Sequence, residues 1–192
     1  MLGRYRDNPK IMLISGDNFL GDVERKTRQD TSYYFSRYCM TWGWATWSRV
    51  WKFYDYNMKN LLTEEAGNKI KKILKTKEEQ KYWFDVFKKE YYKKNAWDYQ
   101  LTYAIWQNDG LCVTPTVNLI SNVGFGEGAA NTINPNHPAA KLLTENLKFP
   151  LVHPTKITVD TKADSYIFRH HFLKKPSFKS RIRNFVRRVF TR

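Results

Sequence analysis

The spacing of apolar residues changes along this 192-residue chain from strand-like to helical and back. The apolar run Ile11–Ile14 is short and is soon followed by Gly16, as is typical of a buried strand. Residues 32–36 are rich in aromatic side chains and predict a second strand. Residues 63–108 have helical spacing, and residues 111–122 are again β-branched and apolar. This order predicts an α/β fold in which a helical excursion separates strands of one sheet.

Capping residues indicate where the helices of this excursion begin and end. Thr76 is followed three residues later by Glu79, which predicts a capping box at the start of the second helix. Asn95 is the expected N-cap of the third helix, and the turn at 108–110 is expected to end it. The polar segment 21–31 is expected to be a surface loop.

The charge of the chain is strongly positive, with 33 basic and 18 acidic residues and a formal net charge of +15. Such a surplus favours an anionic partner: a nucleic acid, an anionic membrane or a phosphorylated substrate. Nucleic acid is the least expected of these, because the basic residues concentrate in residues 173–192 and not among the aromatic residues. That tail has the pattern of a basic amphipathic helix. It is expected either to bind an anionic membrane surface or to pack its apolar face on the domain.

The cysteines and the chain start bear on where the protein works. Cys39 and Cys112 are too few for a disulfide framework, and they suit a reducing compartment. No apolar run approaches the ~18 residues of a membrane span, and the first residues lack the apolar stretch of a signal peptide. We therefore expect a cytoplasmic protein, with peripheral attachment to the inner face of the membrane through residues 173–192.

All seven tryptophans lie between residues 42 and 106, and three of them flank one glycine. Trp42, Trp44 and Trp47 surround Gly43 in segment 42–47, which is expected to be a loop leading into a short helix. Two interpretations stand side by side. Indoles are usually buried in a core, but an indole can also stack on the apolar face of a sugar ring while its N–H donates at the pocket edge.

Asp98 lies in the first turn of the expected third helix. The helix N-terminus favours a negative charge by about 0.3–1 kcal/mol, so we expect Asp98 to be ionised at neutral pH and able to accept a proton. The alternative is that it only stabilises the helix. Gln100, near the same helix end, could orient a hydroxyl. The four histidines show no zinc-binding spacing.

Several motifs occur in an order that resembles one family. These are Ile14–Asn18, Tyr33–Arg37, Trp42–Trp47, Trp97–Gln100, Asn118–Gly126, Phe149–Pro154 and His170–Phe172. The pattern, from about Tyr5 to Phe172, is similar to the middle and C-terminal part of bacterial nucleotide-diphospho-sugar transferases. Some members of this family are catalogued as haemolytic-protein-like. The resemblance implies that residues 1–172 have a GT-A fold with a Rossmann-like, mixed sheet.

The resemblance also implies a function, which is glycosyl transfer from a nucleotide sugar to the hydroxyl of a glycan or lipid-linked acceptor in cell-surface polysaccharide biosynthesis. By position in the motifs, Asp98 would be the catalytic base. The substrate-binding residues would be Trp42, Gly43, Trp44, Trp47, Gln100 and Asn122.

The chain departs from the family in two places. The complete enzyme would use a divalent metal, Mn²⁺ or Mg²⁺, held by an Asp-x-Asp-type motif that lies before the segment matching Tyr5. No Asp-x-Asp occurs here. Relatives usually have Ala-Thr-His-Thr where this chain has Ala129–Thr132, with Asn131 in place of the histidine. We therefore expect residues 1–172 to be a partial transferase domain that does not bind the metal itself. The alternative is a non-catalytic domain that binds carbohydrate or an anionic polymer.

Overall fold

A computed structural model describes residues 1–125 and 138–173 and confirms the α/β class. Within these residues a four-stranded mixed sheet has the order β2-β4-β1-β3. Its strands are β1 (Ile11–Ile14), β2 (Tyr33–Ser36), β3 (Ala45–Thr46) and β4 (Leu111–Pro115). The helices are α1 (Asp22–Lys26), α2 (Ser48–Trp51), α3 (Glu64–Ile73), α4 (Lys77–Lys93), α5 (Asp98–Gln107) and α6 (Thr161–Ile167). A 3₁₀ turn at Pro138–Lys141 and a π-helical turn at Phe168–Phe172 complete the description.

The centre of the sheet is the parallel pair β1 and β4, in which Ile14 pairs with Val113. The outer strands β2 and β3 run antiparallel to their neighbours. A parallel pair needs a long crossover, and the helices α3, α4 and α5 of the excursion provide it. Both central strands therefore end at the same edge of the sheet, which is where open α/β sheets usually bind ligands.

The three helices of the crossover pack on the sheet through one hydrophobic core. Leu13 of β1, Trp83 and Phe87 of α4, and Leu101 and Trp106 of α5 are all buried in it. The predicted capping box of α4 is confirmed. Thr76 Oγ1 accepts from Glu79 N at 3.1 Å, and Glu79 Oε2 accepts from Thr76 N at 3.0 Å.

The prediction of a loop over residues 21–31 was wrong in part, because α1 forms there. This short helix has no buried residue, so no apolar stripe could reveal it in the sequence. It is held by ion pairs to distant segments. Arg25 pairs with Glu145, and Arg28 Nε lies 2.5 Å from Asp160 Oδ2.

Two further boundaries differ from the predictions. The N-cap of α5 is Trp97 and not Asn95, because the Asn95 N–H is donated to Glu90 on α4. Segment 42–47 is not entirely a loop, since β3 pairs with β1 there. The strand predicted over residues 111–122 ends at Pro115.

Some predictions fall on other parts of the chain. Asn131 and nearly all of the tail, residues 174–192, lie outside the described residues. Among the residues that are described, no helix is both long and apolar enough to cross a bilayer.

Candidate functional site

A cavity of about 110 Å³ lies beyond the carboxyl end of β1, next to the start of α5. The loop after β2 and the C-terminal π-helical turn close its other sides. The polar, thiol and indole side chains among the residues that line it are Asp17, Cys39, Thr41, Trp42, Trp83, Asp98, Tyr99, Thr102 and His171. It thus brings together the proposed base Asp98 and one of the predicted substrate-binding residues, Trp42.

Asp98 is half-buried at the first position of α5, and its environment acts on it in two directions. Burial raises the pKa of Asp98, while the backbone N–H groups of Asp98 and Tyr99 donate to the carboxylate and lower it. The nearby charge of Glu90 adds to the upward shift. The net direction is upward, against the effect of the helix end. Burial outweighs it and makes the carboxylate a stronger base.

Glu90 fixes the position at which α5 begins. Its side chain is buried on α4, and Oε2 accepts from Asn95 N at 3.0 Å and from Ala96 N at 3.2 Å. These bonds attach the turn before α5 to α4. Because Asp98 follows that turn by two residues, Glu90 also sets where the Asp98 carboxylate lies.

Asp17 is a second carboxylate in the cavity wall, buried at the end of β1. Burial raises its pKa to about 6 from the usual 3.8, although Ser15 Oγ and the Trp42 N–H both donate to it. Ser15 Oγ lies 2.5 Å from Asp17 Oδ1 and 2.6 Å from Met40 O. A hydroxyl has one proton to donate, so both contacts are satisfied together only when Asp17 is protonated and donates to Ser15.

The loop carrying Trp42 is packed closely on the end of β1. Gly16 N donates to Trp42 O at 3.2 Å, and a Cβ at Gly16 would lie 2.7 Å from Gly43 O. Gly43 has φ +58°, in the region that favours glycine, and a Cβ there would overlap the Ile120 side chain. The role of Gly43 in the described residues is therefore to let this loop turn and approach the sheet.

The three tryptophans around Gly43 point to different surroundings. Trp42 lines the cavity and packs on Phe19, with ring centroids 5.2 Å apart. Trp44 packs on Trp97 at 5.1 Å and is not part of the cavity wall. Trp47 Nε1 donates to the backbone oxygen of Leu2 at 3.3 Å, toward the N-terminal segment.

The other two predicted substrate-binding residues lie away from the cavity wall. Gln100 is fully buried, and within the described residues neither atom of its amide has a hydrogen-bond partner. Asn122 is half-buried, and its Oδ1 accepts from Gly124 N at 2.8 Å, which shapes the loop after β4.

Asp17, Cys39 and His171 were not among the residues selected from the sequence. Asp17 and His171 fall inside motifs that carried the family resemblance, which was the available signal. The His171 ring packs on Phe19 with centroids 3.9 Å apart, and it lines the cavity. Cys39 had no sequence signal, because its place in the wall depends on how the chain turns after β2.

The two cysteines are free thiols that lie side by side. Cys112 is buried in β4 and Cys39 is half-buried, with their Sγ atoms 3.1 Å apart. Burial is the main reason that the pKa of the Cys112 thiol is raised well above its usual range. Cys39 is the one of the two that lines the cavity.

The described residues do not fit a metal centre. In ranges 1–125 and 138–173, no group of three or more His, Cys, Asp or Glu side chains lies together in a way that could hold a metal ion. We therefore assign no chemical step in this cavity to a metal.

Comparisons of this chain with protein-family models, with curated proteins and with solved structures found no match in any of the three.

Proposed function

We propose that this chain is part of a glycosyltransferase in which Asp98 removes the proton from an acceptor hydroxyl. One observation carries the proposal: Asp98 and Trp42 line the same cavity at the ligand-binding edge of the sheet. A carboxylate beside an indole is a combination suited to sugars. The ring stacks on the apolar face of the sugar while the carboxylate accepts from a hydroxyl.

The step balances as a displacement at the anomeric carbon. The acceptor oxygen forms the new bond to that carbon, and the bond to the nucleoside diphosphate breaks with its electron pair going to the diphosphate. The acceptor proton passes to Asp98. The raised pKa of Asp98 supports this role, because a base works best when its pKa approaches the working pH.

The size of the cavity supports a binding site for the acceptor hydroxyl that is separate from the site for the donor nucleotide. A volume of about 110 Å³ holds only a few water molecules, each of which occupies about 30 Å³ in the liquid. We therefore assign the acceptor hydroxyl to this cavity. The nucleotide of the donor sugar and the divalent metal of the complete enzyme are assigned to the acidic metal-binding half that the resemblance implies.

The test replaces Asp98 by Asn and measures sugar transfer from nucleotide sugars in Mn²⁺. The acidic metal-binding half is supplied either in the same chain or as a separate polypeptide. Loss of a general base lowers rates by about 10²–10⁴-fold, so we expect a loss of at least about 100-fold. Asp109→Asn is the matched control, because Asp109 is an exposed carboxylate just beyond the other end of α5 that pairs with Lys69 at 2.8 Å.

A wild-type rate in folded Asp98→Asn protein would contradict the base assignment. Absence of transfer from every nucleotide sugar, with the metal-binding half present, would contradict the proposed function as a whole. Far-UV circular dichroism of each variant separates a catalytic loss from unfolding.

A further inference from the structure

Four aromatic rings form a continuous ridge beside the cavity, which we call the aromatic ridge: Trp97, Trp44, Trp51 and Tyr54. The ring centroids of Trp97 and Trp44 are 5.1 Å apart, those of Trp44 and Trp51 are 6.2 Å apart, and those of Trp51 and Tyr54 are 5.3 Å apart. The side chains come from the residue before β3, from α2, from the segment after α2 and from the N-cap of α5. Separate elements therefore combine to build one surface.

The two outer indoles of the ridge, Trp51 and Trp97, are open to solvent, while Trp44 and Tyr54 are half-buried against the core. Trp51 and Trp97 are each 43% exposed, although indoles are among the side chains that gain most from burial. Single exposed apolar residues need no explanation, but a contiguous group of large rings indicates a binding surface. Because its members are flat rings and not aliphatic side chains, this surface suits the flat apolar faces of pyranose rings.

Charged groups of both signs lie near the ridge. The pKa of Tyr54 is raised, first by burial and then by neighbouring groups that include the carboxylates of Asp98 and Asp55. These two negative charges act on the ridge although the whole chain has a formal net charge of +15. Lys59 and Lys94 lie near Asp55 and offset its charge, so the surface beside the ridge carries charges of both signs and does not select a strongly charged partner.

The ridge is continuous with the candidate base. Trp97 directly precedes Asp98, and the charge of Asp98 reaches Tyr54. We propose that the aromatic ridge binds successive sugar rings of a neutral glycan acceptor, which presents its terminal hydroxyl to Asp98. This inference rests on the proposed function and adds to it the class of acceptor, a chain of several sugars.

The experiment measures binding of three neutral hexasaccharides, maltohexaose, cellohexaose and chitohexaose, to the full chain by titration calorimetry. We expect at least one of them to bind more tightly than its monosaccharide. Trp51→Ala and Trp97→Ala should each weaken that binding by about tenfold, as expected for loss of one stacked ring. The control is Tyr92→Ala, since Tyr92 is a 65% exposed aromatic residue of α4 that is not part of the ridge.

Three results would overturn the inference. These are no binding of any hexasaccharide by the wild-type chain, equal binding by wild type and both tryptophan variants, or binding to phosphatidylglycerol vesicles that the tryptophan variants lose while glycan binding stays unchanged. Having two variants protects the test against misfolding of either one.

Asp98→Asn separates this inference from the proposed function. Asp98→Asn is measured in the transfer assay, where it should lower the rate by at least about 100-fold, and Trp51→Ala and Trp97→Ala are measured in the binding assay. If the ridge binds no glycan but transfer still depends on Asp98, only the inference about the ridge is contradicted. If the ridge binds glycan but Asp98→Asn transfers sugar at the full rate, only the assignment of Asp98 as the base is contradicted.

Discussion

Asp17 shows how strongly one buried residue can link the cavity to pH. Its pKa is raised to about 6 in the folded protein, from 3.8, so the folded chain holds this proton at pH values where the unfolded chain has released it. The stabilising contribution of the protonated form is therefore complete below about pH 3.8 and is lost as the pH rises through about 6. The same proton decides whether Ser15 can donate to Met40, so the wall of the cavity changes with it.

We expect ionisation of Asp17, with its pKa raised from 3.8 to about 6, to lower the free energy of unfolding by about 2.4 kcal/mol between about pH 4 and pH 7. Urea unfolding at intervals across this range, in wild type and in Asp17→Asn, measures the difference in slope. Asp30→Asn, at an exposed aspartate, should keep the wild-type slope. An unchanged slope in Asp17→Asn would contradict the burial argument. The pKa of Asp164 is also raised by burial, but Asp164 is present in all three proteins, so its contribution to the slope cancels in the comparison.

At this scale the sequence predicts local features and misses those that depend on burial. The placement of Asp98 in the first turn of a helix followed from helical spacing, and α5 begins there. The direction of its pKa did not follow, because burial in the cavity comes from segments far along the chain, such as Trp42 and His171. The full burial of Gln100 was missed for the same reason.

At the scale of elements, the junction between α4 and α5 depends on Glu90. Replacing Glu90 by Ala removes the acceptor for Asn95 N and Ala96 N, and we expect the free energy of unfolding to fall by about 2–3 kcal/mol. Chemical denaturation checks this value. Because α5 would then lose the attachment that fixes its start, transfer that depends on Asp98 should fall as well.

Asp85→Ala is the control on the same helix. Asp85 pairs with Lys81 at 2.7 Å, but both side chains are exposed, so its loss should cost about 0.5 kcal/mol or less. Equal destabilisation by Glu90→Ala and Asp85→Ala would mean that the junction does not depend on the buried carboxylate.

The same junction explains which element boundaries the sequence could predict. The capping box of α4 was predicted correctly because Thr76 and Glu79 satisfy each other within one turn. The N-cap of α5 was not, because the N–H groups before it are satisfied by Glu90 from another helix. The two-residue strand β3 was missed because two residues show no alternation, and only pairing with β1 defines it.

At the scale of the whole molecule, one core joins the sheet to the crossover helices. Leu13 and Cys112 of the sheet and Phe87 and Trp106 of the helices belong to the same buried cluster. We expect the described part of the chain to unfold in a single transition, with equal urea midpoints by far-UV circular dichroism and by tryptophan fluorescence. Phe87→Ala should lower the free energy of unfolding measured by each probe by the same amount, about 3–5 kcal/mol. Tyr92→Ala should leave both measured values unchanged.

Two separated midpoints in the wild-type chain would contradict this expectation. The sequence predicted the α/β class correctly because strand and helical spacing alternate. It did not predict the order β2-β4-β1-β3, since pairing between distant strands leaves no local pattern. The cavity lies at the edge shared by β1 and β4, so its position also depended on that order.

The thiol of Cys39 lines the cavity and can be labelled chemically, while the neighbouring thiol of Cys112 is buried in the sheet. A maleimide reagent should therefore label the native chain at one atom. A small ¹⁹F tag placed there would report arrival of an acceptor hydroxyl in real time, without altering Asp98 or any ring of the aromatic ridge. Protection of this sulfur from alkylation would in the same way rank candidate acceptors by how well they fill the space beside it.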